Sequence, residues 1–219
     1  MNIAIIGSNR GVGLKLVEKF NTGNNKVYAF CREASNELKS LEPKSVIEDF
    51  DVSKTEQMKQ KLDNLNVENF DTVIHVAGIL KEDSSETFDE DLIEQFKVNS
   101  IGPINTYNSF FNYLNAGSKF AVLTSQLGSV AKNESGGRFG YRMSKAAANM
   151  ACKNIAVKAE KSKITVLILH PGYVETDMTG HDANITSSES AAGLKKLINN
   201  KNTSDNGTFW HVNGEQLPW

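Results

Sequence analysis

The chain has 219 residues, 39% of them hydrophobic and 23% charged, with a formal net charge of −2. That length suits one α/β domain over residues 1–219 whose core needs no staples, and the balanced charge argues against disorder and against a nucleic-acid-binding face. No run approaches the ~20 apolar residues of a membrane span, so the expected partner is a small molecule, with neither membrane nor nucleic acid.

The first strand, Asn2–Ile6, is apolar from the outset and stops at Gly7, which leaves no room for a signal peptide. Cys31 and Cys152 have neither metal nor redox spacing. Together these features predict a cytoplasmic protein in a reducing compartment.

After the first strand comes Gly7-Ser8-Asn9-Arg10-Gly11-Val12-Gly13, leading into a helix over Val12–Phe20. Glycines allow a tight turn and close backbone approach, and the free N–H groups of a helix start favour a pyrophosphate. The spacing departs from the commoner dinucleotide fingerprint, and such a turn can also join a strand to a helix without any ligand. The second strand, Lys26–Phe30, ends at Cys31-Arg32. An acid at that place prefers a free ribose 2′-hydroxyl and a cation prefers a 2′-phosphate. Arg32, with Arg10 as a second donor, favours NADP(H); Glu33 leaves the hydroxyl alternative open.

A short helix over Glu37–Leu41 and a third strand over Ser45–Glu48 follow. Asp51-Val52 is then placed to bracket adenine, and Asp51 can also cap the next helix, Lys54–Leu65. The fourth strand, Asp71–Val76, runs into Ala77-Gly78, and a long helix is predicted over Asp89–Leu114. The fifth strand, Lys119–Thr124, ends on Ser125, a hydroxyl at the edge where open α/β sheets bind ligands.

Tyr141 and Lys145 then lie four residues apart near the start of a helix over Tyr141–Glu160, hence on one face. A cation beside a phenol lowers its pKa. Alone this spacing is equally that of a surface pair. Ala146, Ala147, Ala148 and Ala151 would let a neighbour pack closely, so a homo-oligomer, dimer or tetramer, is expected to associate there. A sixth strand at Thr165–His170, a helix at Ser188–Asn199 and a seventh strand at Thr208–Val212 complete the alternation. Such repetition predicts a doubly wound parallel sheet of about seven strands with helices on both faces. His75, His170, His181 and His211 lack ligand partners at metal spacing and are expected to be hydrogen-bonded residues, with no metal site.

In these motifs the chain resembles the short-chain dehydrogenase/reductase family, in its C-factor-like and sniffer-type carbonyl reductase branch, along essentially its whole length. Gly7, Gly11 and Gly13 match that family's cofactor turn, Asp51 its adenine-binding acid, and Ala77-Gly78 the end of its N-N-A-G segment. Here His75-Val76 replaces the two asparagines. Asn99, Ser125, Tyr141 and Lys145 match its active-site tetrad, and Pro171-Gly172-Tyr173-Val174-Glu175-Thr176-Asp177-Met178 resembles the segment that lies along the nicotinamide.

The resemblance implies a Rossmann-type fold and an NADP(H)-dependent reduction of a small carbonyl substrate, or oxidation of the matching alcohol. Tyr141 would act as general acid, Ser125 would orient the carbonyl oxygen, and Lys145 would tune the phenol and hold the ribose. Asn99 would anchor a proton-relaying water, and Pro171, Gly172, Val174 and Thr176 would fix the carboxamide. It equally admits a C-factor-type regulator that binds dinucleotide with little turnover. An epimerase is disfavoured, because that branch adds a substrate domain. The polar segment 180–184 is expected to form a flap over an open site, with walls from Ser84–Glu90 and Gln126–Phe139.

Overall fold

A computed structural model describes residues 1–83 and 88–219. Its main sheet is built from β1 (Asn2–Ile6), β2 (Lys26–Phe30), β3 (Ser45–Ile47), β4 (Thr72–His75), β5 (Lys119–Leu123), β6 (Thr165–His170) and β9 (Thr208–His211). Every neighbouring pair is parallel and the spatial order is β3-β2-β1-β4-β5-β6-β9. All seven strands lie where the apolar runs put them. The order reverses beside β1, so the carboxyl ends of β1 and β4 part there and leave a crevice.

Burial on both faces explains why the strands read as continuous apolar runs; all six residues of β6 are buried. Along β1 the side chains alternate between two cores, Ala4 and Ile6 on one side and Ile3 and Ile5 on the other. The first core is aromatic. Phe30 meets Phe50 at 4.7 Å and Phe110 at 5.4 Å, and Phe70 meets Phe110 at 5.5 Å. Helices α3 (Thr55–Asp63), α5 (Gly102–Phe110) and α6 (Phe139–Ala159) cover it. The second core is mainly aliphatic, under α1 (Gly11–Phe20) and α7 (Ser187–Asn200). Each large side chain so buried contributes roughly 1.5–3 kcal/mol.

Capping follows the sequence at two helices. Ser35 accepts the Leu38 N–H at the start of α2 (Asn36–Ser40), and Thr186 and Glu189 form a reciprocal capping box on α7.

The single helix expected over Asp89–Leu114 is instead four pieces: α4 (Phe88–Gln95), a π-helical turn over Phe96–Ile101, α5, and a 3₁₀ turn over Phe111–Tyr113. Pro103 supplies the reason. It has no N–H to give the Asn99 carbonyl at α spacing, so the backbone widens just ahead of it. Two further strands, β7 (Val174–Glu175) and β8 (Ile185–Thr186), pair in parallel and close the base of the 176–184 segment. Two residues each are too few for a sequence period to reveal.

Candidate active site

At the end of β1 the chain turns at Gly7, with φ +88°. The N–H groups of Gly7 and Ser8 both donate to the Phe30 carbonyl, at 2.9 and 3.2 Å. A Cβ on Gly7 would stand 2.7 Å from the Ala77 nitrogen, and one on Gly13 would stand 2.0 Å from the Gly7 carbonyl oxygen. Here the turn, the end of β4 and α1 close on one another only because side chains are missing. At the start of α1 the Arg10 side chain caps nothing and the first turn holds no acid, so its N–H groups are left to an anion. Val12 contributes backbone there while its side chain enters the core.

The neighbours of this cradle have mixed roles. Asn9 turns aside and accepts the Ser35 N–H, bracing the turn against α2. Arg10 reaches across to Asp177 at 2.8 Å, an exposed pair that also includes His181 at 3.3 Å from Asp177. This differs from the free phosphate donor expected of it. Arg32 stands exposed at the end of β2, and its guanidinium makes no hydrogen bond or ion pair among the described residues. Asp51 accepts the Ser53 N–H and hydroxyl at 2.9 and 2.8 Å, forming a turn ahead of α3. Burial raises its pKa, but these bonds, with Lys54 and Arg32 nearby, outweigh it and hold the carboxyl below its ordinary value. Val52 is buried, and its carbonyl accepts from Asn105 at 2.9 Å.

The four tetrad residues converge at the carboxyl edge of β4 and β5. Tyr141 and Lys145 share a face of α6 and are both buried. The Lys145 ammonium lies 5.7 Å from the Tyr141 ring centre and donates to the Leu123 carbonyl at a long 3.4 Å. Gly78 fits between Lys145 and Asn99: a Cβ on it would stand 3.3 Å from Nζ and 3.2 Å from the Asn99 Oδ1. Asn99 sits in the π-helical turn. Its amide exchanges bonds with the Ile79 N–H and carbonyl, each 2.8 Å, and donates to Ser144 Oγ at 3.0 Å. Ser144 in turn donates to the Tyr141 carbonyl at 2.8 Å. Ser125 accepts the Leu127 N–H at 3.1 Å, and its hydroxyl faces the Tyr141 phenol.

Burial raises the Tyr141 pKa, while the Ser125 hydroxyl and the nearby Arg138 charge pull the other way. The lowering expected from Lys145 does not show at this geometry. Lys145 itself is lowered to about 8 by burial. Such an ammonium, buried with a single long acceptor, is short of partners. His75 meets its expectation: Nδ1 pairs with the Thr106 hydroxyl at 2.9 Å, and burial, aided by the Lys145 charge, lowers it to about 3. His170 departs from it, being buried against His211 with neither ring nitrogen hydrogen-bonded.

Beyond β6 the Pro171 carbonyl accepts from Ser190 at 2.7 Å, and a Cβ on Gly172 would lie 2.6 Å from Ile185 Cδ1. Val174 is buried, and the Thr176 N–H donates to Thr179 Oγ1 at 3.1 Å. A Cβ on Gly11 would lie 3.2 Å from the Thr176 methyl, so this segment closes over the glycine turn. Between it and the tetrad lies a pocket of about 290 Å³, lined by Ser125, Leu127, Arg138, Tyr141, Tyr173 and Met178 among others. Gln126–Phe139 thus supplies a wall as expected, while the wall expected from Ser84–Glu90 falls outside the described residues over 84–87.

Arg138 was not among the site residues read from the sequence. It enters α6 with a left-handed backbone, φ +50°, directly after Gly136 and Gly137 at φ +64° and +68°. A residue with a Cβ costs about 1–2 kcal/mol in that conformation. The Gly-Gly pair was the signal that the left-handed stretch could extend to it.

The chain is similar to known proteins in both sequence and fold. The family model for short chain dehydrogenase matches residues 1–185. The chain is 34% identical to the 1-hydroxy-2-glutathionyl-2-methyl-3-butene dehydrogenase of Rhodococcus sp. (strain AD45), over 99% of each chain. It is 35% identical to the C-signal of Myxococcus xanthus over 59% of this chain and 79% of that one. An NADPH-bound carbonyl reductase from chicken fatty liver superposes with a TM-score of 0.89 at 26% identity, covering 100% of this chain and 98% of that one.

Proposed function

The chain belongs to the short-chain dehydrogenase family, and from that premise we propose that it is an NADP(H)-dependent oxidoreductase reducing the carbonyl of a small aldehyde, ketone or quinone. The observation that carries this reading is the pocket wall on which Ser125 and Tyr141 stand together, with Lys145 buried on the same helix face as the phenol.

The residues present fit a dinucleotide. The glycine cradle has no room for side chains, the α1 start is uncapped, and the Lys145 ammonium has only a long bond to the Leu123 carbonyl among the described residues. Gly7, Gly11, Val12 and Gly13 would hold the pyrophosphate, Asp51, Val52 and Ala77 the adenosine side, and Gly78 would lie beside Lys145 at the nicotinamide ribose. Lys145 would take the nicotinamide ribose, and Pro171, Gly172, Val174 and Thr176 the carboxamide. Bound there, the cofactor supplies the hydride. Arg32, exposed and unpaired, favours the 2′-phosphate, as does the NADPH in the chicken carbonyl reductase. Arg10 contributes less, since it is shared with Asp177.

Tyr141 gives its proton to the carbonyl oxygen; burial by itself makes the phenol a weaker acid, and the Ser125 hydroxyl and the Arg138 charge work against that effect. Ser125, on the same pocket wall, would orient the carbonyl oxygen through its hydroxyl. The Asn99 side chain bonds Ile79 and Ser144, so it holds the segment after β4 against α6, and in this reading it also anchors the water that relays protons to Lys145.

Of the alanines expected to carry self-association, Ala148 is in the core and Ala146, Ala147 and Ala151 are half-buried, so we place self-association instead on exposed Met143, Met150 and Val157, seven apart on α6; a monomer mass in solution would refute this. Two buried, unbonded cysteines fit a cytoplasmic site. Among the described residues no helix is long and apolar enough to cross a membrane.

The test is loss of NADPH absorbance with a panel of carbonyl compounds. Wild-type turnover should exceed that of Tyr141→Phe by about 10²–10⁴-fold, with NADPH affinity retained. Tight NADPH binding without tyrosine-dependent turnover would instead favour a dinucleotide-binding regulator.

A further inference from the structure

We propose that Arg138 is the specificity residue of the pocket and that the substrates it selects are carbonyl compounds bearing a carboxylate. This rests on the reductase reading above and names the substrate class for the same site. Arg138 lines the pocket together with Ser125 and Tyr141, and it is the only lysine or arginine on that wall among the described residues. Its charge reaches the phenol, where it opposes the effect of burial.

Two features show that the guanidinium is placed there and is available. The backbone at position 138 is left-handed and follows two glycines in the same conformation, so glycine would be the least strained residue. An arginine at that point is explained by what its side chain does. Its one partner among the described residues, Glu82, is held at 3.6 Å with both groups well exposed, 47% and 69%. A long, solvated pair of this kind is weak, and a substrate carboxylate can replace it with two parallel N–H···O bonds. Glu82 also borders the pocket and repels an anion until the exchange is made. The other nearby acid, Asp83, is occupied by the Phe139 N–H at 3.0 Å.

Two aldehydes on the same ring, 4-carboxybenzaldehyde and its methyl ester, methyl 4-formylbenzoate, differ by the charge in question and one methyl group. With NADPH, wild-type kcat/KM should favour the carboxylate at least tenfold. Arg138→Gly should lower that ratio at least tenfold, chiefly through KM. Arg138→Lys should keep part of the preference, and Glu82→Gln should raise it. Glycine suits the left-handed backbone, so Arg138→Gly should melt no lower than wild type, which separates lost recognition from lost folding. A ratio that moves less than twofold in Arg138→Gly, or a wild type that prefers the ester, overturns the carboxylate site while leaving the reductase reading intact. No NADPH oxidation with any carbonyl overturns both.

Discussion

Two glycine-rich turns bracket this site, and they use glycine for different reasons. In the turn over residues 7–13 the surroundings forbid side chains: a Cβ on Gly13 would lie 2.0 Å from a backbone oxygen. In the turn over residues 136–138 nothing lies within 4 Å of a Cβ on Gly136 or Gly137, and only the positive φ favours glycine. The contrast teaches how to weigh Arg138. Where space is the constraint no side chain can be substituted, but where only backbone strain is, a side chain with a job can override it.

Breaking the first turn should have the largest effect. Gly13→Ala forces α1 away from the turn, with an expected cost of about 3 kcal/mol in urea unfolding and a matching loss of NADPH affinity by titration. Next comes the charge at the phosphate end. Arg32→Ala should weaken NADPH about tenfold more than NADH, roughly 1.4 kcal/mol; equal losses for the two dinucleotides would remove Arg32 from the phosphate site. Smallest is Gly136→Ala, where only φ +64° resists a methyl. It should cost about 1 kcal/mol of stability and leave NADPH affinity as it was. A Gly136→Ala loss as large as that of Gly13→Ala would erase the distinction between the turns.

The sheet was legible because buried parallel strands write themselves as apolar runs; each predicted strand lies within a residue or two of its place, Ser45–Glu48 against Ser45–Ile47 for example. The long helix expected over Asp89–Leu114 misled for a local reason. Its apolar pattern continues through Val98 and Ile101, and the break comes from one missing N–H at Pro103, which periodicity does not register. At the site, the glycine turn was legible in its spacing, whereas Asn99, Ser125, Tyr141 and Lys145 were grouped by the family resemblance, since the Tyr-Lys spacing alone is equally that of a surface pair. The partners of Arg10 and Arg138 were not legible. Asp177 and Glu82 are distant along the chain, and only the folded backbone brings each within reach of its arginine.

Every residue of the site hangs from the carboxyl edge of a sheet whose strands are all parallel, so spatial neighbours are never joined by a simple hairpin; β1 lies between β2 and β4, and β6 between β5 and β9. Each such pairing must close a long loop before it gains contacts. The edge therefore exists only once the sheet is complete. On refolding, catalytic competence should return after helical circular dichroism does. A ligand held at that edge binds the finished domain alone, and its affinity adds to the stability of the whole fold.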